Sequence, residues 1–423
     1  MRSILLLIFA GLIAGCGGGG GGDVIAPLSK STVAVIGDLP YGLSAINNNG
    51  VADTTEFAAA PSFFSSINKD SDISTVLHVG DIHSGSEPCT EAYDRSIATQ
   101  WSALKFPVVY TPGDNEWTDC QKPKQAGGIT DPVANLDLVR SIFFTTPGKA
   151  FNGSLDVHSQ AIEYDTAFPA DKKFVENVWW YKSGVAFVTL NIPGGSNNDN
   201  DIWGGAATRS AAQLQEISER TSANIRWLDT AFKNAVALGA IGVVIQIQAD
   251  MWDLDSKVDA TGTVPTLFTG TVTCPTAATT GCSHIYEYKQ FIDKIASNTL
   301  NFRKPVLLFN GDSHFYRSDN PLKIGQPCVI ESLTINSAAK TATPKADGTS
   351  VACSSSTVPA FINGDADPYK NQPHGYDASN FRRVVVHGST LPFEYIKLTI
   401  DPDANAANST SAFGPFSWTR VKP

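Results

Sequence analysis

Charged residues are scarce in this chain. Asp, Glu, Lys and Arg make up 17% of its 423 residues, and acidic residues outnumber basic ones by 41 to 31. A net charge of −10 argues against non-specific nucleic-acid binding, which needs a basic surface. No long apolar run is present; the one at residues 4–14 falls short of the roughly 20 residues a membrane-spanning helix needs. The cysteines lack the tight paired spacing of a zinc ribbon, so a structural zinc of that kind is not expected. No internal repeat is visible, and no strong domain boundary follows residue 30. Histidine is also rare, with seven in the chain, so each can be weighed singly.

What is present begins with an export pattern. Arg2 precedes the apolar run, and Ile13, Ala14, Gly15 and Cys16 follow the form of a bacterial lipoprotein box. Residues 1–15 thus read as a signal peptide. Residues 16–30 read as a lipidated Cys16 with a glycine-rich tether, and residues 31–423 as one large domain with loop insertions. Glycine after Cys16 favours the outer membrane as destination. Six cysteines then remain, an even number that suits an oxidising compartment. They allow 15 pairings. The locally plausible set is Cys89–Cys120, Cys274–Cys282 and Cys328–Cys353.

A hydrophobic content of 42% supports a real core. Short β-branched runs end abruptly in glycine or polar residues at 32–36, 75–79, 107–110, 185–190, 241–247 and 305–309, which reads as buried strands. Residues 381–387 and 395–400 look like two more. Residues 57–67, 93–104 and 285–295 follow helical patterns, and Ile225, Leu228, Phe232 and Val236 share one face of another helix. Alternating strands and helices give an α/β fold. The segments 117–180, 195–220, 252–283 and 318–380 read as loop insertions.

The aspartates carry the functional signal. Asp38, Asp81, Asp114 and Asp312 each follow a glycine directly after a strand, and Asp250 also follows one. Open α/β sheets bind ligands outside the carboxyl ends of their strands. Carboxylates gathered there repel one another, and a divalent cation removes that repulsion. A single Gly-Asp is more often a plain turn. Four in one chain point to metal.

The ordered series Gly37-Asp38, Gly80-Asp81, Gly113-Asp114-Asn115-Glu116, Gln248-Ala249-Asp250 and Gly311-Asp312-Ser313-His314 resembles the calcineurin-like metallophosphoesterases, including the purple acid phosphatases. The resemblance spans residues 32–316. It implies two packed mixed β-sheets flanked by helices. It also implies a hydrolase of phosphate esters that uses two divalent ions and a metal-bound hydroxide. Asp38 and His314 would hold the first ion, Asp81 would bridge, and Asp114 and Asp312 would hold the second, with Asp250 as a further candidate. The departures are specific. Asp114 and Asn115 replace an asparagine and a histidine, Asp312 replaces a histidine, and Pro40 stands where many members have one. The ligand set is therefore shifted toward oxygen, which favours Mg²⁺, Mn²⁺ or Ca²⁺, with Fe and Zn also admissible. His83 and Asn115 are the candidate catalytic residues, and Tyr41 and Asn115 the candidate substrate contacts. His78 reads as a satisfied core histidine, Trp117 as packing, and His374 and His387 as more distant candidates. The competing class is a noncatalytic surface lipoprotein that binds phosphate, a cation or a glycan through a degenerate site.

Overall fold

The structure is a computed structural model. It describes residues 28–42, 45–46, 52–53, 55–123, 128–198, 202–252, 284–323, 325–336, 341–355, 357 and 376–423. Cys16, the signal and tether residues before 28, His374 and the Cys274–Cys282 pairing lie outside the described residues.

Two large mixed sheets carry the fold. The first contains β1 (Ser31–Ile36), β4 (Ile73–His78), β5 (Val108–Tyr110), β17 (Tyr395–Ile400), β18 (Ala412–Phe413) and β19 (Phe416–Val421), ordered β18-β19-β17-β1-β4-β5. The second contains β6 (His158–Ser159), β7 (Val178–Lys182), β8 (Val185–Thr189), β9 (Gly242–Gln246), β10 (Val306–Asn310), β11 (Arg317–Asp319), β12 (Val329–Glu331), β15 (Ser350–Ala352) and β16 (Phe381–Val385). Its order is β15-β12-β11-β16-β10-β9-β8-β7-β6. Two short hairpins, β2 (Ala45–Ile46) with β3 (Ala52–Asp53) and β13 (Leu333–Asn336) with β14 (Thr341–Pro344), stand apart.

Period-two alternation along buried strands sets the layers. In β1, Val33 and Val35 enter the core between the sheets, while Ala34 and Ile36 face the opposite way. In β10, Leu307 and Phe309 point between the sheets and Val306 and Leu308 away from them. The outer face of the first sheet is covered by α1 (Thr55–Lys69), α2 (Glu91–Trp101) and α3 (Pro132–Phe143), through Phe64, Ile97, Trp101 and Val139. The outer face of the second is covered by α6 (Ala211–Ala237) and α7 (His284–Phe302), through Trp227, Leu228, Phe291 and Ile295. Two mixed sheets flanked by helices is the architecture that the family resemblance implies, and the α/β character is the one the residue pattern gives. No described helix is long and apolar enough to cross a membrane.

Two expectations need correction. Val236 is 64% exposed; the buried stripe of α6 runs instead through Trp227, Leu228, Ala231, Phe232 and Ala235. The supposed insertions at 117–180, 195–220 and 318–380 are partly regular, and they contain α3, the first turns of α6 and β12 to β15. Asp131 caps α3 by accepting the backbone N–H groups of Val133 and Ala134, and Pro132 occupies its first turn, where a missing N–H does no harm. Disulfides join Cys89 to Cys120 and Cys328 to Cys353, as the local spacing suggested.

Candidate metal centre

β1, β4 and β5 run parallel in the first sheet, and β8, β9, β10 and β16 in the second. The carboxyl ends of both sets meet. The Gln246 amide on β9 donates to the carbonyls of His78 and Val109 on the first sheet, at 2.7 and 3.1 Å. The turns beyond these ends are tight. Asp38, Asp81, Asp312 and His314 have φ of 52°, 57°, 74° and 66°. Left-handed backbone is uncommon for residues other than glycine, and aspartate tolerates it better than most. Four such residues at one place mark a site whose surroundings fix the backbone.

The turns bring Asp38, Asp81 and His314 together, with one ligand atom of each within 4.8 Å of the others. Asp38 is fully buried; its Oδ1 accepts the Asp312 N–H at 2.8 Å and lies 3.5 Å from His314 Nε2. Its Oδ2 is buried with no hydrogen-bond partner. The Tyr41 hydroxyl lies 3.2 Å from His314 Nε2 and 3.5 Å from Asp81 Oδ2, and it accepts from Asn115 Nδ2 at 3.4 Å. Asp81 Oδ1 accepts the Asn115 N–H at 3.3 Å.

The Asp114 and Asp312 carboxylates both abut Gly194 at the start of α5 (Gly194–Asn198). A Cβ on Gly194 would come 2.8 Å from Asp312 Oδ1 and 2.9 Å from Asp114 Oδ2. The Gln248 amide reaches the same place from the end of β9, with Nε2 2.9 Å from Asp114 Oδ1 and 3.1 Å from Asp81 Oδ2.

Burial raises the Asp38 and Asp81 carboxyls well above their ordinary pKa. For Asp81 the next causes are Asp114, Glu116, Asp38 and Asp312, all carboxylates. His314 is pulled down to about 4, by burial and then by His387. Its side chain stays 36% exposed. A neutral imidazole beside two carboxylates fits a divalent cation, which would satisfy the orphaned Asp38 Oδ2 and relieve the repulsion.

Two sequence-derived candidates fall elsewhere. The Asp250 carboxylate is held by Arg383 and by the Ser313 hydroxyl, and only its backbone N–H reaches the site, donating to Asp312 Oδ2 at 3.0 Å. It therefore does not join the ligand group. His83 is fully buried, with Nδ1 on the Ser84 carbonyl and its ring edge-on to Tyr93, so it offers no surface to a substrate. His387 pairs with Glu331 behind His314. His78 is a core histidine bonded to the Leu39 carbonyl, and Trp117 is fully buried.

Sequence reasoning missed Glu116 as a support. Its Oε1 accepts the Gly113 N–H at 2.6 Å and the Tyr110 hydroxyl, which pins the turn carrying Asp114. Glutamate three residues after the glycine was the available signal.

No family model and no curated protein matches the chain. Among solved structures it is similar to a purple acid phosphatase from seeds of yellow lupin (Lupinus luteus). The identity is 12% and the TM-score 0.40, over 93% of this chain and 52% of that one. The chain thus spans about half the length of that protein.

Proposed function

We propose that this protein is a metal-dependent hydrolase of phosphate esters. The observation that carries the reading is the convergence of Asp38, Asp81 and His314 from three strand ends distant in sequence, with a buried carboxylate oxygen left unpartnered among them. Asp38, Asp81 and His314 would hold the cation, which supplies Lewis acidity toward a phosphoryl oxygen. The remaining work falls to the chain. Tyr41, whose hydroxyl burial and the nearby Asp81 keep protonated, and Asn115 present donors beside the ligand group, where they would orient phosphoryl oxygens. Cys89–Cys120 and Glu116 hold the turn that carries Asn115, so these donors are placed before substrate arrives. Export and anchoring through Cys16 belong to the same proposal, and two disulfides suit an oxidising compartment.

The test is hydrolysis of a chromogenic monoester and a diester with added Mn²⁺, Mg²⁺, Ca²⁺ or Zn²⁺, for wild type beside Asp81→Asn. Turnover is expected in wild type and a fall by orders of magnitude in the mutant. Equal rates in the two folded proteins would refute the assignment. Cation binding without hydrolysis of either ester would replace it with a noncatalytic binding site.

A further inference from the structure

Metal centres built from strand-end carboxylates commonly pair two cations about 3.5–4 Å apart across a shared carboxylate. Here Asp81 gathers with Asp38 and His314 and also shares the Gln248 amide with Asp114, so it is the group a second cation would share. The two groupings differ in what faces Asp81. In the first stand a carboxylate oxygen without a hydrogen-bond partner and an imidazole nitrogen. In the second stands the carboxamide nitrogen of Gln248, between Asp81 Oδ2 and Asp114 Oδ1.

The orientation of that amide is fixed by its other end. Gln248 Oε1 accepts the Gly194 N–H. Turned over, the oxygen would face two carboxylates and the NH₂ would face a backbone N–H, so both ends would be mismatched. The side chain is also built in. Gln248 is fully buried, and Gly80, at φ 107°, lets its stem pass; a Cβ at Gly80 would come 2.6 Å from Gln248 Cγ. An NH₂ group carries only donors and cannot ligate a cation. It does supply the positive end of a dipole to two carboxylates, which is part of what a cation would supply.

We propose that the protein takes a single divalent cation, at Asp38, Asp81 and His314, and that the Gln248 amide occupies the second position between Asp81 and Asp114. This rests on the metal-centre reading above, and one measurement separates the failure of either. Purified full-length protein is freed of metal, titrated with Mn²⁺ in a calorimeter and analysed for bound metal, with the spin resonance spectrum recorded at saturation. One equivalent with the hyperfine spectrum of an isolated ion is expected. Two equivalents with a spin-coupled spectrum would overturn the inference and leave the metal centre standing. No binding would overturn both. Gln248→His and Gln248→Ala, each checked for folding by circular dichroism, should raise the stoichiometry from one to two, the histidine variant with the tighter second site. Retention of one equivalent by both folded variants would overturn the role given to Gln248.

Discussion

Asp38 and Asp319 are both fully enclosed carboxylates near the same end of the molecule, and burial alone would raise the pKa of each. Asp38 ends well above its ordinary value, whereas Asp319 ends below it. The neighbours decide. Asp319 receives Arg383 through two hydrogen bonds of 2.8 and 2.6 Å, and Arg317 through another of 2.8 Å. Those guanidinium groups outweigh desolvation. Around Asp38 and Asp81 the strongest charged neighbours are other carboxylates. One cluster therefore carries its own cations and is structural. In the other, carboxylates face carboxylates, which is the setting the proposed cation would relieve. Counting strand-end aspartates cannot separate the two kinds, because Asp250 follows β9 much as Asp38 follows β1, yet its carboxylate belongs with Arg383.

The strongest way to break this contrast is to remove the built-in cation. Arg383→Met would leave Asp319 and Asp250 buried with their principal partner gone. Breaking a buried ion pair from one side costs about 3–5 kcal/mol. Urea unfolding of metal-free protein should report a loss of that size. Arg383→Met combined with Asp319→Leu should recover only part of it, since Asp250 stays stranded and Arg317 loses its partner. A loss under about 1 kcal/mol in the single mutant would show that the guanidinium contributes no more than a surface charge.

A second experiment reverses the sign. In metal-free protein Asp81→Asn removes a carboxylate that the fold holds against its neighbours, so stability should rise near neutral pH. The pH dependence follows from the raised folded-state pKa. Such a group favours the folded state fully below its unfolded value, about 4, and that contribution is lost as pH rises through the folded value. The advantage of Asp81→Asn over wild type should therefore shrink as pH falls toward about 4. Asp319 behaves oppositely. Its depressed folded pKa contributes stability above about 4 that is lost only as pH falls through the lower folded value. Saturating cation should abolish or invert the gain from Asp81→Asn. Thermal melts of both proteins across pH, with chelator and with Mn²⁺, measure each arm, and a difference independent of pH would refute the account.

These contrasts also mark how far the sequence could be read. The strands at the heart of both sheets were legible because burial on two faces leaves continuous apolar runs, as at Val306–Asn310. The gathering of Asp38 and Asp81 was legible through the repeated Gly-Asp at strand ends, and His314 entered through the family resemblance alone. Three things were not. The direction of the Asp250 carboxylate depends on Arg383, which lies 133 residues away in sequence and carries no local mark of its partner. Enclosure of His83 depends on Tyr93 and Ser84 closing around it, whereas its place two residues after Asp81 made it a catalytic candidate. Gln248 stands in the ordered series of motifs, yet its role follows from which end of the amide meets Gly194, and that is set only by tertiary hydrogen bonding.

The smallest expected effect tests the boundary between the clusters. Asp250 stands on it, with its backbone N–H on Asp312 and its carboxylate on Arg383 and Ser313. Asp250→Asn keeps the backbone bond and a side chain of the same size. Its amide oxygen can still accept from Arg383, which retains Asp319. The loss should be the difference between a charge-assisted and a neutral hydrogen bond, about 1 kcal/mol of stability. Because no Asp250 oxygen belongs to the ligand group, Mn²⁺ affinity should stay within about threefold of wild type, well under 1 kcal/mol. A ligand carboxylate would behave otherwise: its neutralisation should weaken binding by tenfold or more, as is expected for Asp38→Asn measured alongside. Calorimetric titration of the two mutants gives the comparison directly. Equal weakening in both would place Asp250 in the metal centre and dissolve the boundary between a cluster that carries its own cations and one that awaits them.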